Sequence, residues 1–137
     1  MKWIICFCES PNIGLWKLFT KYRFGFSHVY AVNYDPDLDI WRKVEITTHG
    51  FNFETLNGEK ATQLVLEMHL CNKCVEVEVD NKPVYFPRLF YCVSFIKHLC
   101  NIRKFWIWTP YQLYCELLKR KGSIIFESEE LLEQNHG

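Results

Sequence analysis

Cys92 stands at the head of an apolar stripe formed by Phe95, Ile96 and Leu99, spaced like the buried side of a helix. A thiol in the first turn of a helix meets unpaired backbone N–H groups and the positive end of the helix dipole, both of which favour the thiolate. For such a thiolate to attack an acyl carbon, a base must sit within hydrogen-bond reach and a third group must orient that base. His28 lies in an extended run, Ser27 to Val32, and Glu45 lies in the middle of the next, Trp41 to Thr48. If the two runs pair as a hairpin, His28 and Glu45 become cross-strand neighbours. His49, just past the second run, is the alternative third group. Residue types and spacing therefore allow Cys92 as nucleophile, His28 as base, and Glu45 or His49 as orienter.

Three other groupings could carry chemistry. Cys71-x-x-Cys74 has the spacing of half a zinc site or a redox pair, and its second half would have to come from Cys6-x-Cys8 or His69. Cys6-x-Cys8 lacks a zinc-knuckle spacing and sits in an apolar strand, so the sequence expectation is an incidental pair of loop thiols at a hairpin tip, with no metal and no cofactor. Phe105-Trp106-Ile107-Trp108, beside Arg103 and Lys104, could stack nucleic-acid bases or meet a partner protein, but packing into the core or over a cleft is the simpler expectation. His98, six positions after Cys92 on the same helix, points away from the thiol, and His69 reads as a strand residue.

The elements that must position these groups follow from local pattern. Residues 3–8 read as a central strand, apolar on both faces. Ser10 and Pro11 start a helix to about Tyr22. Ser27 to Val32 and Trp41 to Thr48 are strands around a turn at Asp35-Pro36-Asp37. In the second strand Trp41, Lys43, Glu45 and Thr47 share one face. Residues 49–60 read as irregular, with a turn at Asn57-Gly58. Thr62 to Leu70 and Val75 to Val79 read as strands, followed by a turn over Asp80 to Pro83. Pro87 fits the loop before the Cys92 helix, which runs to about Cys100. Thr109-Pro110-Tyr111-Gln112 is a capping box with proline at the first helical position, and Gly122 is the expected stop. Residues 123–126 make a short edge strand. The expected organisation is one α+β domain over 1–126, an antiparallel sheet packed by helices, with an acidic tail over 127–137.

Composition narrows the function classes. Aromatic residues make up 17% of the 137 residues, which excludes a disordered chain. The 16 basic and 16 acidic residues cancel, so there is no electrostatic case for nucleic acid or an anionic membrane surface. No apolar run approaches a membrane span. Seven cysteines, an odd number, with no signal-peptide pattern at the start, fit reduced thiols in a cytoplasm better than a disulfide framework.

Phe26-Ser27-His28-Val29, then Cys92-Val93-Ser94-Phe95-Ile96-Lys97, then Thr109-Pro110-Tyr111-Gln112-Leu113 together resemble the permuted papain-like family. This is the circularly permuted branch of the NlpC-type cysteine hydrolases, related to lecithin–retinol acyltransferase-like enzymes, with small bacterial and phage members. The likeness covers about residues 1–120, and the order, His before Cys, is the permuted one. It implies that Cys92 is the nucleophile and His28 the base, with a third, polar position on the next strand, for which Glu45 is the choice and His49 the runner-up. It implies that the Cys92 helix lies against the sheet carrying His28, and that the Cys92 backbone N–H helps hold an oxyanion. Tyr91 departs from the small or polar residue usual before the cysteine, and Cys100-Asn101 from the glycine usual after the helix. The expected activity is cysteine-dependent hydrolysis of amide, isopeptide or ester bonds, with cell-wall peptides or acyl groups as substrates, or acyl transfer if an acceptor other than water enters. The alternative is a catalytically silent structural or binding module, such as a virion component with partner proteins. The corresponding location is the cytoplasm, or the host cytoplasm or virion for a viral chain.

Overall fold

Strand β1 (Lys2–Cys8) carries apolar side chains on both sides and lies in the interior of a six-stranded sheet. In the computed structural model, which describes residues 1–9, 25–47, 49–80 and 91–127, the remaining elements are β2 (His28–Asp35), β3 (Ile40–Thr47), β4 (Gly50–Leu56), α1 (Gly58–His69), β5 (Lys73–Glu78), α2 (Cys92–Leu99), α3 (Pro110–Lys119) and β6 (Ser123–Glu127). The sheet order is β4-β3-β2-β1-β5-β6, and every neighbouring pair is antiparallel. The chain is thus an α+β protein. The expected helix from Ser10 to Tyr22, the turn at residues 81–83, the Pro87 loop and the tail beyond 127 lie outside the described residues, as does Thr48. Among the described residues no helix is long and apolar enough to cross a membrane.

Strand alternation sends the side chains of β1 into two separate interiors. Ile5 and Phe7 join Val29, Ala31, Val44, Val75 and Val77 against Val93 and Ile96 of α2 and Leu113 and Leu117 of α3. Cys6 joins Tyr30, Val32 and Cys74 against Leu64 and Met68 of α1. Phe7, Phe26, Tyr111 and Tyr114 form an aromatic group in the first interior, with ring centroids 5.1–5.7 Å apart for Phe7–Phe26, Phe7–Tyr114, Phe26–Tyr111 and Phe26–Tyr114.

Two elements differ from their sequence reading. Residues 50–56 are a strand, β4, paired along β3 from Trp41↔Leu56 to Thr47↔Gly50. Residues 62–69 belong to helix α1, not a strand, and Asn57 is its N-cap rather than part of a hairpin turn. Only Leu64 and Met68 of this helix are buried, an i, i+4 pair, while Leu66 faces solvent. The narrow stripe and the outward leucine hide the helical period. His69 accordingly ends a helix, with Nδ1 2.7 Å from the Val65 carbonyl oxygen.

Helix α3 follows its sequence signal. The Thr109 hydroxyl accepts from the Gln112 N–H at 3.2 Å, and Gln112 Oε1 accepts from the Thr109 N–H at 3.1 Å. Replacing Thr109 by alanine is expected to cost about 0.5–2 kcal/mol of stability, read as a lowered urea midpoint with an unchanged slope. The helix ends at Arg120. Lys121 rather than Gly122 takes the left-handed backbone, with φ +66°, and the Gly122 N–H closes on the Leu117 carbonyl at 2.9 Å. The connection between α2 and α3 is held by Lys97 Nζ on the Ile107 carbonyl at 3.1 Å and by Lys104 Nζ on buried Glu116 at 2.9 Å. That leaves Phe105, Trp106 and Trp108 exposed, contrary to the core packing expected for them, with Ile107 alone of the four buried.

Candidate active site

His28 is the first residue of β2 and Cys92 the first residue of α2, and α2 packs across β2 and β3. The helix starts where it does because Tyr91 is extended and its N–H donates to Ser94 Oγ at 2.8 Å. The Cys92 N–H, at the first helical position, has no acceptor within the helix, which suits it to a developing negative charge beside the sulfur. The Cys92 side chain is half-buried at the edge of the apolar interior.

Two partners hold the His28 imidazole. Nε2 lies 2.7 Å from Glu45 Oε1, and the Cys92 thiol lies near enough to the ring to raise its pKa. With Nε2 engaged by the carboxylate, Nδ1 is the nitrogen left to serve the sulfur. Burial alone would lower the imidazole pKa, but Cys92 and Glu45 outweigh it and raise the value from the usual 6.5 to about 9. The side chains of His28 and Glu45 retain 16% and 18% exposure, so solvent and small groups reach them. The structure therefore brings together Cys92, His28 and Glu45. His49 is exposed in the β3–β4 turn, where its backbone N–H bonds Thr47 Oγ1, and it takes no part in this cluster.

Lys43, a residue not singled out from the sequence, extends the row. Its ammonium is 3.6 Å from Glu45 Oε2 and 3.2 Å from Glu67 on α1, and 4.6 Å above the Tyr30 ring. The His28 hydrogen bond, with Lys43 behind it, holds the Glu45 carboxyl below its ordinary pKa despite burial, so it stays ionised. Charges thus alternate from Glu67 through Lys43 and Glu45 to His28. The period-two pattern of β3 had already put Lys43 and Glu45 on one face. Glu67 was hidden by the misreading of α1 as a strand.

The Tyr91 hydroxyl donates to the Trp108 carbonyl at 2.9 Å. Burial and the neighbouring Cys92 push its pKa up to about 12, so it remains neutral. The hydroxyl ties the start of α2 to the exposed aromatic segment.

A second group of thiols lies in the α1-side interior. Cys71 and Cys74 are not loop thiols at a hairpin tip. Cys71 is buried in the turn that leaves α1, and Cys74 is buried within β5 directly opposite Cys6 of β1. The sulfurs of Cys6, Cys71 and Cys74 lie within 4.8 Å of one another. Tyr30 Oη is 3.3 Å from Cys71 Sγ, and Cys8, at the end of β1, packs against the same interior. This is the one set of described residues whose donors converge as metal ligands do. Comparison of the chain with protein-family models, with curated proteins and with solved structures gave no match.

Proposed function

We propose that the chain is a cysteine-dependent hydrolase of amide, isopeptide or ester bonds, working through Cys92, His28 and Glu45. The observation that carries this reading is the 2.7 Å hydrogen bond between His28 and Glu45 with the Cys92 thiol beside the same imidazole, at a helix N-terminus. His28 takes the thiol proton and the sulfur attacks a carbonyl carbon. The Cys92 N–H stabilises the resulting oxyanion, and imidazolium returns the proton to the leaving group. Water, activated by the same imidazole, then releases the acyl group. The resemblance to permuted papain-like hydrolases supports this order of roles and favours peptide substrates of the cell-wall type. An acyl acceptor in place of water would make the same site a transferase.

Alkylation tests it. At neutral pH iodoacetamide is expected to modify Cys92 at least about 10-fold faster than the half-buried Cys100 and Cys115, mapped by peptide mass spectrometry, and His28→Ala removes that advantage. Burial holds the Cys100 thiol up at about 12, which makes it an internal reference. Slow and equal labelling would sink the enzyme reading. It would favour a silent binding module, a reading that the exposed Phe105, Trp106 and Trp108 support.

A further inference from the structure

We infer that Cys6, Cys8, Cys71 and Cys74 form a structural zinc site, separate from the Cys92 cluster and holding the α1–β5 turn to β1. The donors come from three places that the fold has to bring together. Cys6 and Cys8 alternate with Phe7 on β1 and so emerge on the α1 side of the sheet. Cys74 enters from β5 through the Cys6↔Cys74 pairing. Cys71 arrives from the last turn of α1, where its N–H bonds the Met68 carbonyl at 3.1 Å.

The turn itself is clamped to the strand. The Asn72 N–H donates to the Phe7 carbonyl at 2.9 Å, so the backbone between Cys71 and Cys74 is fixed to the residue between Cys6 and Cys8. A tetrahedral site with Zn–S bonds of about 2.3 Å has sulfurs about 3.8 Å apart. The sulfurs of Cys6, Cys71 and Cys74, already within 4.8 Å of one another, need shift by no more than about an ångström to reach that spacing. Cys8, half-buried and two residues from Cys6 on the same face of β1, lies outside that 4.8 Å group and becomes the fourth donor when its side chain turns toward the other three.

The chemistry of the donors selects the metal. Four sulfurs with no carboxylate or imidazole among them suit a soft or borderline ion, and zinc needs no redox partner. In the metal-free chain the thiols of Cys71 and Cys74 donate to the Glu67 and Met68 carbonyls at 3.6 and 3.5 Å. On binding, each ligating thiol gives its proton to solvent and forms a Zn–S bond. The Tyr30 hydroxyl, 3.3 Å from Cys71 Sγ, then becomes the donor to that sulfur. All four ligand positions belong to the protein, so the site has no vacancy for substrate and its role is to brace the sheet. Its nearest consequence for the rest of the chain is at Cys8, which pairs with His28 in the β1–β2 register.

Tag-free protein purified without chelator is expected to carry close to one zinc per chain by elemental mass spectrometry. Cobalt exchanged into the site should show intense sulfur-to-cobalt charge transfer and the visible bands of tetrahedral thiolate coordination. Cys74→Ser and Cys6→Ser should lose the metal, while Cys92→Ser and Cys115→Ser keep it, which separates this site from the proposed nucleophile. Because a ligand variant can fail to fold, the parent protein supplies a second test. An organomercurial that titrates thiols should release zinc in step with four thiols, followed with a chromogenic zinc indicator. Protein free of zinc that gives no cobalt–thiolate absorption overturns the inference, as does stoichiometric iron or copper, a disulfide among these cysteines, or full zinc retention in folded Cys74→Ser.

Discussion

A His28→Ala protein is expected to turn over its substrate about 10²- to 10⁴-fold more slowly than the parent, with an unchanged far-UV spectrum. The loss comes from removing the imidazole that bonds the Glu45 carboxylate and lies beside the Cys92 thiol. The fold should survive because Glu45 keeps Lys43 at 3.6 Å and is not left as a lone buried charge. The pH profile gives the sharper reading. Imidazolium is the acid that protonates the leaving group, so the parent rate should fall as pH rises through about 9, the raised pKa of His28. Glu45→Gln removes one of the causes of that rise, so the alkaline limb should move to lower pH. The same shift has a sign for stability. A folded-state pKa raised from 6.5 contributes stability in full below 6.5 and loses it as pH climbs from 6.5 to about 9. An alkaline limb that Glu45→Gln leaves in place would mean that the limb is not the titration of His28 held by Glu45.

Phe7→Ala is expected to destabilise the protein by about 3–5 kcal/mol, a large part of the roughly 5–15 kcal/mol typical of a domain. Phe7 has no solvent exposure, sits on a strand with neighbours on both edges, and meets Phe26 and Tyr114 at 5.7 and 5.6 Å. Truncation leaves a cavity between the sheet and α3 that rigid strands cannot collapse to fill. Phe105→Ala is the contrast: its ring is 75% exposed, and the expected change is within about 0.5 kcal/mol. Urea unfolding of both variants at neutral pH separates them, and a Phe7→Ala cost under about 1 kcal/mol would mean this interior is not close-packed.

The parts of the fold readable in the sequence are those whose pattern was set by burial or by caps. β1 reads as central because it is apolar on both faces, and α3 because Thr109, Pro110 and Gln112 write its start. β4 was unreadable because it is an edge strand with nearly every residue exposed, Phe51 and Phe53 included, so no face is marked by burial. Its Phe51 finds its partner in Phe95 of α2 at 5.4 Å, a contact made only in three dimensions. In the Cys92 cluster, alternation along β2 and β3 made His28 and Glu45 cross-strand candidates. Glu45 is already the choice over His49 in the sequence, and the β3–β4 turn places His49 exposed and away from the cluster. The sequence offers Cys6-x-Cys8 as a second half for Cys71 and Cys74, and its spacing sets it aside. The convergence was not legible because it depends on β1 pairing with β5 and on α1 being a helix.

β1 gives Ile5 and Phe7 to the ring- and aliphatic-lined interior under α2 and α3, and Cys6 to the other, where Tyr30, Val32, Leu64 and Met68 meet the thiols of Cys71 and Cys74. Its register therefore has no neighbouring alternative. Sliding it one position would push Ile5 and Phe7 among the thiols and strand Cys6 among rings, with both mismatches paid at once. A single-residue insertion or deletion within Trp3 to Phe7 is thus intolerable. A change of two residues keeps the parity, so any length variation this strand accepts comes in pairs.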